Sequence, residues 1–262
     1  MIDLNLLKNG LNLSTLRLQV KIFQSLDSTN VEAKRRIVDG IKQDLLIVSS
    51  LQTAGRGRYS RTWFSPDGGL YFSLILRPRL GPQFAPLASF LSGCAVAKGL
   101  QSLGVEHVRL KWPNDVLVVE DKIAGILNEL VTLDPVDAWM VLGIGINQNI
   151  PIAEFPEEIV GRSTSVLEIL GEETSPEVLL CAIMNEIDRL VGLVETEKSY
   201  SPVLKLWRSM SGTIGRLVRV NDGIKEFVGI AENLMDDGSL IVVTDKGKEK
   251  VTMGDVTHLR SD

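Results

Sequence analysis

The chain has 262 residues, 44% hydrophobic and 23% charged, enough for a globular protein with one large domain and one small one. A net charge of -5 and a pI near 5.3 exclude an extended nucleic-acid surface, since phosphate binding leaves a basic footprint. The first ten residues lack a basic stretch followed by an apolar one, and no run approaches the ~18 apolar residues of a membrane span. A cytoplasmic location with no membrane partner and no DNA partner is therefore expected.

Leu18 to Phe23 reads as a short strand, and Thr29 with Glu32 has capping-box spacing ahead of a helix running to about Val38. Ser28 and Asn30 thus sit at a helix N-terminus. Leu45 to Ser50 is a β-rich run. Leu70, Phe72, Leu74 and Leu76 alternate with Tyr71, Ser73 and Arg77 as in a half-buried strand. Pro86 to Leu103 predicts a tightly packed helix ending at Gly104, a glycine C-terminal cap. Four strands are predicted next, over Val108 to Trp112, Val116 to Val119, Ile123 to Thr132 and Trp139 to Ile146. Turn-formers separate them at Pro113-Asn114-Asp115, Glu120-Asp121 and Asp134-Pro135. Helices are predicted from Pro176 and from Pro202, each with a serine at the N-cap and proline at the first helical position. Beyond Ser211 the pattern changes to short strands broken by Asn221-Asp-Gly223, Asp236-Asp-Gly238 and Asp245-Lys-Gly247, which marks a separate small β domain.

Between the second and third predicted strands runs Ala54-Gly-Arg-Gly-Arg-Tyr-Ser-Arg-Thr-Trp63, with Arg56, Arg58 and Arg61 on a backbone loosened by Gly55 and Gly57 and no acid from Ser49 to Pro66. Guanidinium forks on such a mobile loop suit phosphate or carboxylate oxygens, and Trp63 offers a face for an aromatic base. A solvated surface loop fits these residue types equally well. Gly55-Arg-Gly57 and Gly143-Ile-Gly145 both lack the third glycine of a dinucleotide fingerprint, Ser60 and Gln148 standing there, and no Walker A loop is present. Glycines within the last strand mark either close packing or room for a ligand. Lys111-Trp-Pro-Asn-Asp115 is either an Asx-type turn or part of a site. Lys122 is either a solvated strand start or a point charge for a carboxylate or phosphoryl oxygen. Cys94 and Cys181 lie far apart in apolar helical patterns and read as core residues. With His107 and His258 isolated, most histidine-based catalysis and transition-metal sites are set aside.

The order of these pieces resembles the biotin protein ligase family. The resemblance is carried by Ser28-Thr-Asn30, Gln52-Thr-Ala-Gly-Arg-Gly-Arg58, Arg61-Thr-Trp63, Ser65-Pro66, Leu70-Tyr-Phe-Ser73, Lys111-Trp-Pro-Asn-Asp115, Lys122-Ile-Ala-Gly-Ile-Leu127 and Gly143-Ile-Gly-Ile-Asn147. Gly215-Arg-Leu-Val-Arg-Val220, Gly229-Ile-Ala231, Gly238 and Gly254-Asp-Val256 look like the family's small C-terminal barrel. Ser60 departs from the family, which usually has glycine there.

This resemblance implies an α+β fold: a mixed, largely antiparallel sheet packed by helices, class II synthetase-like, over residues 1–211, then an SH3-like β-barrel over 212–262. It implies ATP-dependent ligation of biotin to a lysine of a biotin carboxyl carrier protein, a subunit of acetyl-CoA carboxylase or a related carboxylase, through biotinyl-5'-AMP and with Mg2+. Carried over by residue, Ser28, Thr29, Asn30, Gln52, Arg56, Gly57, Arg58, Lys122, Gly143 and Gly145 would bind biotin. Arg58, Arg61, Trp63, Lys111, Asn114 and Asn147 would serve the nucleotide, Lys122 and Arg58 would be catalytic, and the metal-binding residues stay open. Asp115 would orient the lysines or help place the metal. Some relatives carry an N-terminal winged-helix domain and act as repressors; with residues 1 to 17 ahead of the first strand, the enzyme without that function is expected. A lipoate or octanoate ligase or transferase is the nearest rival reading and a non-catalytic biotin sensor the second. Exposed strand edges leave room for a homodimer.

Overall fold

A computed structural model describes residues 2–134 and 137–259. A short helix, α1 (Leu4–Gly10), precedes β1 (Gln19–Leu26), and α2 (Thr29–Val38) leads on to β2 (Leu45–Gln52). Next come β3 (Leu70–Leu76) and α3 (Ala88–Ser102), followed by β4 (Val108–Lys111), β5 (Asp115–Val118), β6 (Asp121–Asp134) and β7 (Asp137–Ile146). Short helices α4 (Glu157–Val160) and α5 (Val166–Leu170) lead to α6 (Pro176–Glu197) and α7 (Ser201–Met210). Of the predicted turn Asp134-Pro135, Pro135 lies outside the described residues.

The first seven strands form one sheet in the order β1-β2-β3-β7-β6-β5-β4. Only β1 and β2 run parallel, and α2 supplies the crossover that a parallel pair requires. All other neighbours are antiparallel, so the sheet is mixed and largely antiparallel as expected. One face carries the main core, where α3 and α6 pack through residues such as Cys94, Leu100, Ile183 and Ile187. Glycine is required at one point of that contact, because a β-carbon on Gly99 would come 2.5 Å from Cγ1 of Ile183. On the other face α2 buries Ala33 and Ile37 against Ile47, Ile75, Trp139 and Val141.

This two-sided cover corrects the reading of β3 as half-buried. Every residue of β3 is buried, Tyr71 and Ser73 included, because the strand lies third in a seven-stranded sheet with helices on both faces. The capping box at Thr29 is a second correction. Ser28 holds the N-cap position, the Thr29 backbone N–H and hydroxyl meet Gln52, and Glu32 pairs with Arg35 and Arg36 instead of turning back to the helix start. Ser175 does cap α6, its hydroxyl accepting from the Val178 N–H, with Pro176 in the first turn. The next helix starts one residue earlier than predicted, with Tyr200 at its N-cap and Ser201 already helical.

The five remaining strands, β8 (Leu217–Asn221), β9 (Glu226–Leu234), β10 (Leu240–Thr244), β11 (Gly247–Val251) and β12 (Asp255–His258), make a second sheet in the order β11-β10-β9-β8-β12, antiparallel throughout. Gly223, Gly238 and Gly247 adopt φ of 88°, 83° and 119° at the three predicted turns, the region glycine enters without steric cost. Trp112 ties the two sheets together: its indole N–H donates to the Gly238 carbonyl and its backbone N–H to the Thr213 hydroxyl, each at 3.0 Å. Among the described residues no helix is long and apolar enough to cross a membrane. Cys94 and Cys181 are free and buried.

Candidate active site

A cavity of about 310 Å³ opens where the ends of β5, β6 and β7 meet the arginine loop and the second sheet. Its floor is laid by register. Gly125 on β6 pairs with Gly145 on β7, and Leu127 pairs with Gly143, so three positions without side chains lie together. The space above the two β7 glycines is filled by protein. A β-carbon on Gly143 would overlap the Asn30 amide, and one on Gly145 would overlap the Trp63 indole. The sequence left close packing and room for a ligand both open; the structure fills the space with the Trp63 indole, which lines the cavity, and the Asn30 amide, which lies behind its wall.

The roof is the arginine loop, which the sequence marks as mobile and which forms a hydrogen-bonded hairpin. The Gly57 N–H donates to the Arg61 carbonyl at 2.7 Å and the Trp63 N–H to the Gly55 carbonyl at 3.0 Å. Gly55 must be glycine, because a β-carbon there would meet the Ser65 hydroxyl and the Trp63 carbonyl. At the tip, Tyr59 and Ser60 take φ of 53° and 59°, left-handed values that strain residues with side chains. Glycine would enter that backbone region at position 60 without steric cost.

Five cations face the cavity, Arg56, Arg58, Arg61, Lys111 and Lys122, against two carboxylates, Asp115 and Asp255. Lys122 Nζ lies 2.6 Å from Asp115, and its backbone is clamped on both sides, its N–H donating to the Arg162 carbonyl and its C=O accepting from the Thr164 N–H. Asp115 is therefore placed to hold the lysine, the geometry that the first of its two expected alternatives calls for. Lys122 also lies 5.0 Å from the Trp63 ring centre. Burial lowers the Lys111 ammonium pKa against the pull of Asp115, and Lys122 adds to the lowering. Arg56 makes no hydrogen bond or ion pair among the described residues, so its guanidinium is open to an anion.

Arg58 and Arg61 reach across to β12. Arg58 donates to the Gly254 carbonyl at 3.0 Å and to Asn114 at 3.4 Å, and Arg61 forms an ion pair with Asp255. Asp255, Val256 and Thr257 line the cavity and were missed as site residues, although Gly254-Asp-Val256 was noticed as a motif. Contacts between residues 58 and 255 obey no local spacing rule. Gly125 was likewise passed over as a floor residue.

The polar end holds Thr29 and Gln52. The Thr29 N–H donates to Gln52 Oε1 at 2.8 Å, and Gln52 Nε2 donates to the Ser65 hydroxyl at 3.0 Å. Ser28 and Asn30 are buried beside this end and do not line the cavity. Asn147 is also off the wall: its amide donates to the Thr164 carbonyl at 3.0 Å and its backbone N–H to the Ile123 carbonyl at 2.9 Å, bracing the segment that clamps Lys122. Asn114, Lys111, Gly57, Arg61 and Trp63 are on the wall as expected. No cluster of three or more His, Cys, Asp or Glu side chains suited to a metal occurs among the described residues.

Cations gathered around a glycine floor, with a hydrogen-bonding end opposite, suit a ligand that is anionic at one end and polar at the other. Residues 22–147 match the Biotin/lipoate A/B protein ligase family, and residues 213–259 match the Biotin protein ligase C terminal domain. The chain is 31% identical to the biotin--[acetyl-CoA-carboxylase] ligase of Paracoccus denitrificans, over 88% of this chain and 96% of that one. It is 35% identical to the bifunctional ligase/repressor BirA of Escherichia coli, over 92% of this chain and 74% of the relative. In three dimensions it matches the biotin protein ligase from Aquifex aeolicus in complex with biotin and ATP, with a TM-score of 0.80 and 30% identity, covering 93% of this chain and 99% of that one. With two family models matched in sequence order and relatives above 30% identity aligned along most of its length, the chain belongs to the biotin protein ligase family.

Proposed function

We infer that this protein joins biotin to a lysine of a carrier protein in two steps driven by ATP. In the first, a biotin carboxylate oxygen attacks the α-phosphorus of ATP, the bond to the β-phosphate oxygen breaks, and biotinyl-5'-AMP and pyrophosphate form. In the second, the lysine amine of a biotin carboxyl carrier protein attacks the acyl carbon, AMP leaves, and the amine loses a proton. The observation that carries this reading is the five-to-two excess of cations on the cavity wall of a chain whose net charge is -5. Two anions must be brought together in the first step, and positioned positive charge lowers that barrier with no nucleophilic triad.

In this reading Thr29 and Gln52 meet the polar head of biotin, while Arg56, Gly57 and Arg58 meet its carboxylate and the phosphate. Lys122, aimed by Asp115, neutralises the charge developing between the reacting groups. Arg61, Trp63, Lys111 and Asn114 form the nucleotide side. Ser28, Asn30 and Asn147 act from behind the wall. Mg2+ is expected to arrive with the triphosphate, since it favours one or two carboxylates together with phosphate oxygens, and Asp115 and Asp255 are the carboxylates within reach of the cavity. We read residues 1–211 and 212–262 as two domains, supported by their separate sheets.

The test is to supply Mg-ATP with biotin or with lipoate, and to follow pyrophosphate release and transfer to a biotin carboxyl carrier domain. Biotin-dependent release and transfer are expected. Turnover with lipoate alone overturns the assignment, and biotin binding without turnover points to a sensor.

A further inference from the structure

Behind the polar end of the cavity lies a row of buried groups whose hydrogen positions are dictated by their neighbours. The Asn30 amide is 4% exposed and its nitrogen donates to the Leu127 carbonyl at 3.0 Å and to Glu129 Oε2 at 2.9 Å. Both partners can only accept, so the NH2 group must point at them and the amide oxygen must face the other way. That oxygen lies 2.7 Å from the hydroxyl of Ser73, a side chain with no exposure at all. The single Ser73 hydrogen therefore goes to Asn30.

Ser73 Oγ is also 2.8 Å from Thr29 Oγ1. With the serine hydrogen committed, that short contact requires the threonine hydrogen, which takes it from the longer 3.2 Å approach to Gln52. Thr29 Oγ1 is then left with lone pairs only toward the cavity. Gln52 Oε1 keeps the Thr29 backbone N–H at 2.8 Å and adds a second acceptor. A ligand group seated there has to donate N–H or O–H hydrogens.

Glu129 anchors the row. Its other oxygen lies 2.5 Å from Lys34 Nζ, which holds the carboxylate against α2. Glu129 is on the α2 side of β6 and does not line the cavity. We propose that Glu129, steadied by Lys34, is a positioning residue: it sets the Asn30 amide and, through Ser73, makes Thr29 an acceptor for the N–H groups of the biotin ureido ring. This rests on the reading of the cavity as a biotin site.

The experiment measures binding of biotin, and of biotin methylated on a ureido nitrogen, by calorimetry to the full chain and to Glu129→Met and Glu129→Gln. Glu129→Met is expected to weaken biotin about tenfold, since one charge-assisted hydrogen bond in the row is lost. Glu129→Gln keeps an acceptor for Asn30 and should recover all but about threefold of that loss. Methylation should cost Glu129→Met less than it costs the parent protein. In steady state, the KM for biotin should rise in Glu129→Met while kcat and the KM for ATP hold.

Equal weakening of biotin and its methylated form, or a parallel rise in both KM values, overturns the proposal and leaves Glu129 a packing residue. Failure of the parent protein to bind biotin would instead overturn the reading of the cavity.

Discussion

Lys122 lies on the cavity wall, 2.6 Å from the Asp115 carboxylate and with both backbone polar groups held by residues 162–164. A lysine so placed meets a developing negative charge without rearranging. Lys122→Ala is expected to slow single-turnover pyrophosphate release by about 100- to 1000-fold, the range for removing one preorganised stabilising group. An unchanged rate would take the residue out of the chemistry. Residue type left Lys122 either a solvated strand start or a point charge for an anion, and the family resemblance implied the catalytic role. The reason it is aimed, by Asp115 beside it and Asn147 behind, emerges only from the fold.

The arginine loop shows how an element joins such residues. Its hairpin carries Arg58 to both Asn114 and Gly254, so one guanidinium links the loop, the Lys-Trp-Pro-Asn-Asp turn and the second sheet. Arg58→Gly should still make biotinyl-5'-AMP but release it, since a loop without this clasp no longer shelters the anhydride from water. The measure is biotin appearing on bystander lysines in a mixed-protein reaction, and tight retention of the intermediate would count against the role.

Element scale also governs stability at the N-terminus. Asp188 of α6 is buried and accepts from the backbone N–H groups of Ser14, Thr15 and Leu16, pinning the segment ahead of β1. Burial raises its pKa, but these bonds outweigh burial and hold it below the usual carboxylate range. Asp188→Ala should cost about 2–4 kcal/mol in urea unfolding, as buried donors lose an ionised partner.

At the scale of the whole molecule, the two sheets meet through a second set of polar contacts beside Trp112. His258 on β12 lies 3.0 Å from the Thr213 hydroxyl, which accepts from the Trp112 N–H, and Arg216 pairs with Glu120 next to it. Burial, with Lys111 and Arg216 nearby, lowers the His258 pKa to about 4 despite the opposing pull of Glu120. Below its ordinary value near 6.5 the unfolded chain takes up a proton that the folded chain refuses. Stability therefore falls as pH drops from about 6.5 to about 4 and is full above that window. His258→Gln should remove on the order of 1–2 kcal/mol of that pH dependence, after allowance for solvent screening, as read by urea unfolding at pH 7 and pH 4.5. An equal pH dependence in the two proteins would show that folding leaves the His258 pKa near its ordinary value.

The seven strands of the first sheet, the four longer helices, the three glycine turns of the second sheet and the types of residue that form the cavity were legible in the sequence, because turn chemistry, capping and periodicity act over a few neighbouring residues, while the short α1, α4 and α5 were not read there. The order of the motifs was enough to point to the family. Tertiary structure alone decided that β3 is buried on both faces, that Asn30 and Trp63 fill the space over Gly143 and Gly145, that Asn147 braces the wall from behind, and that Asp255 enters the site. Each of these depends on which strand lies beside which and on what packs across the sheet. Such pairings join residues many tens of positions apart, where no local spacing rule reaches.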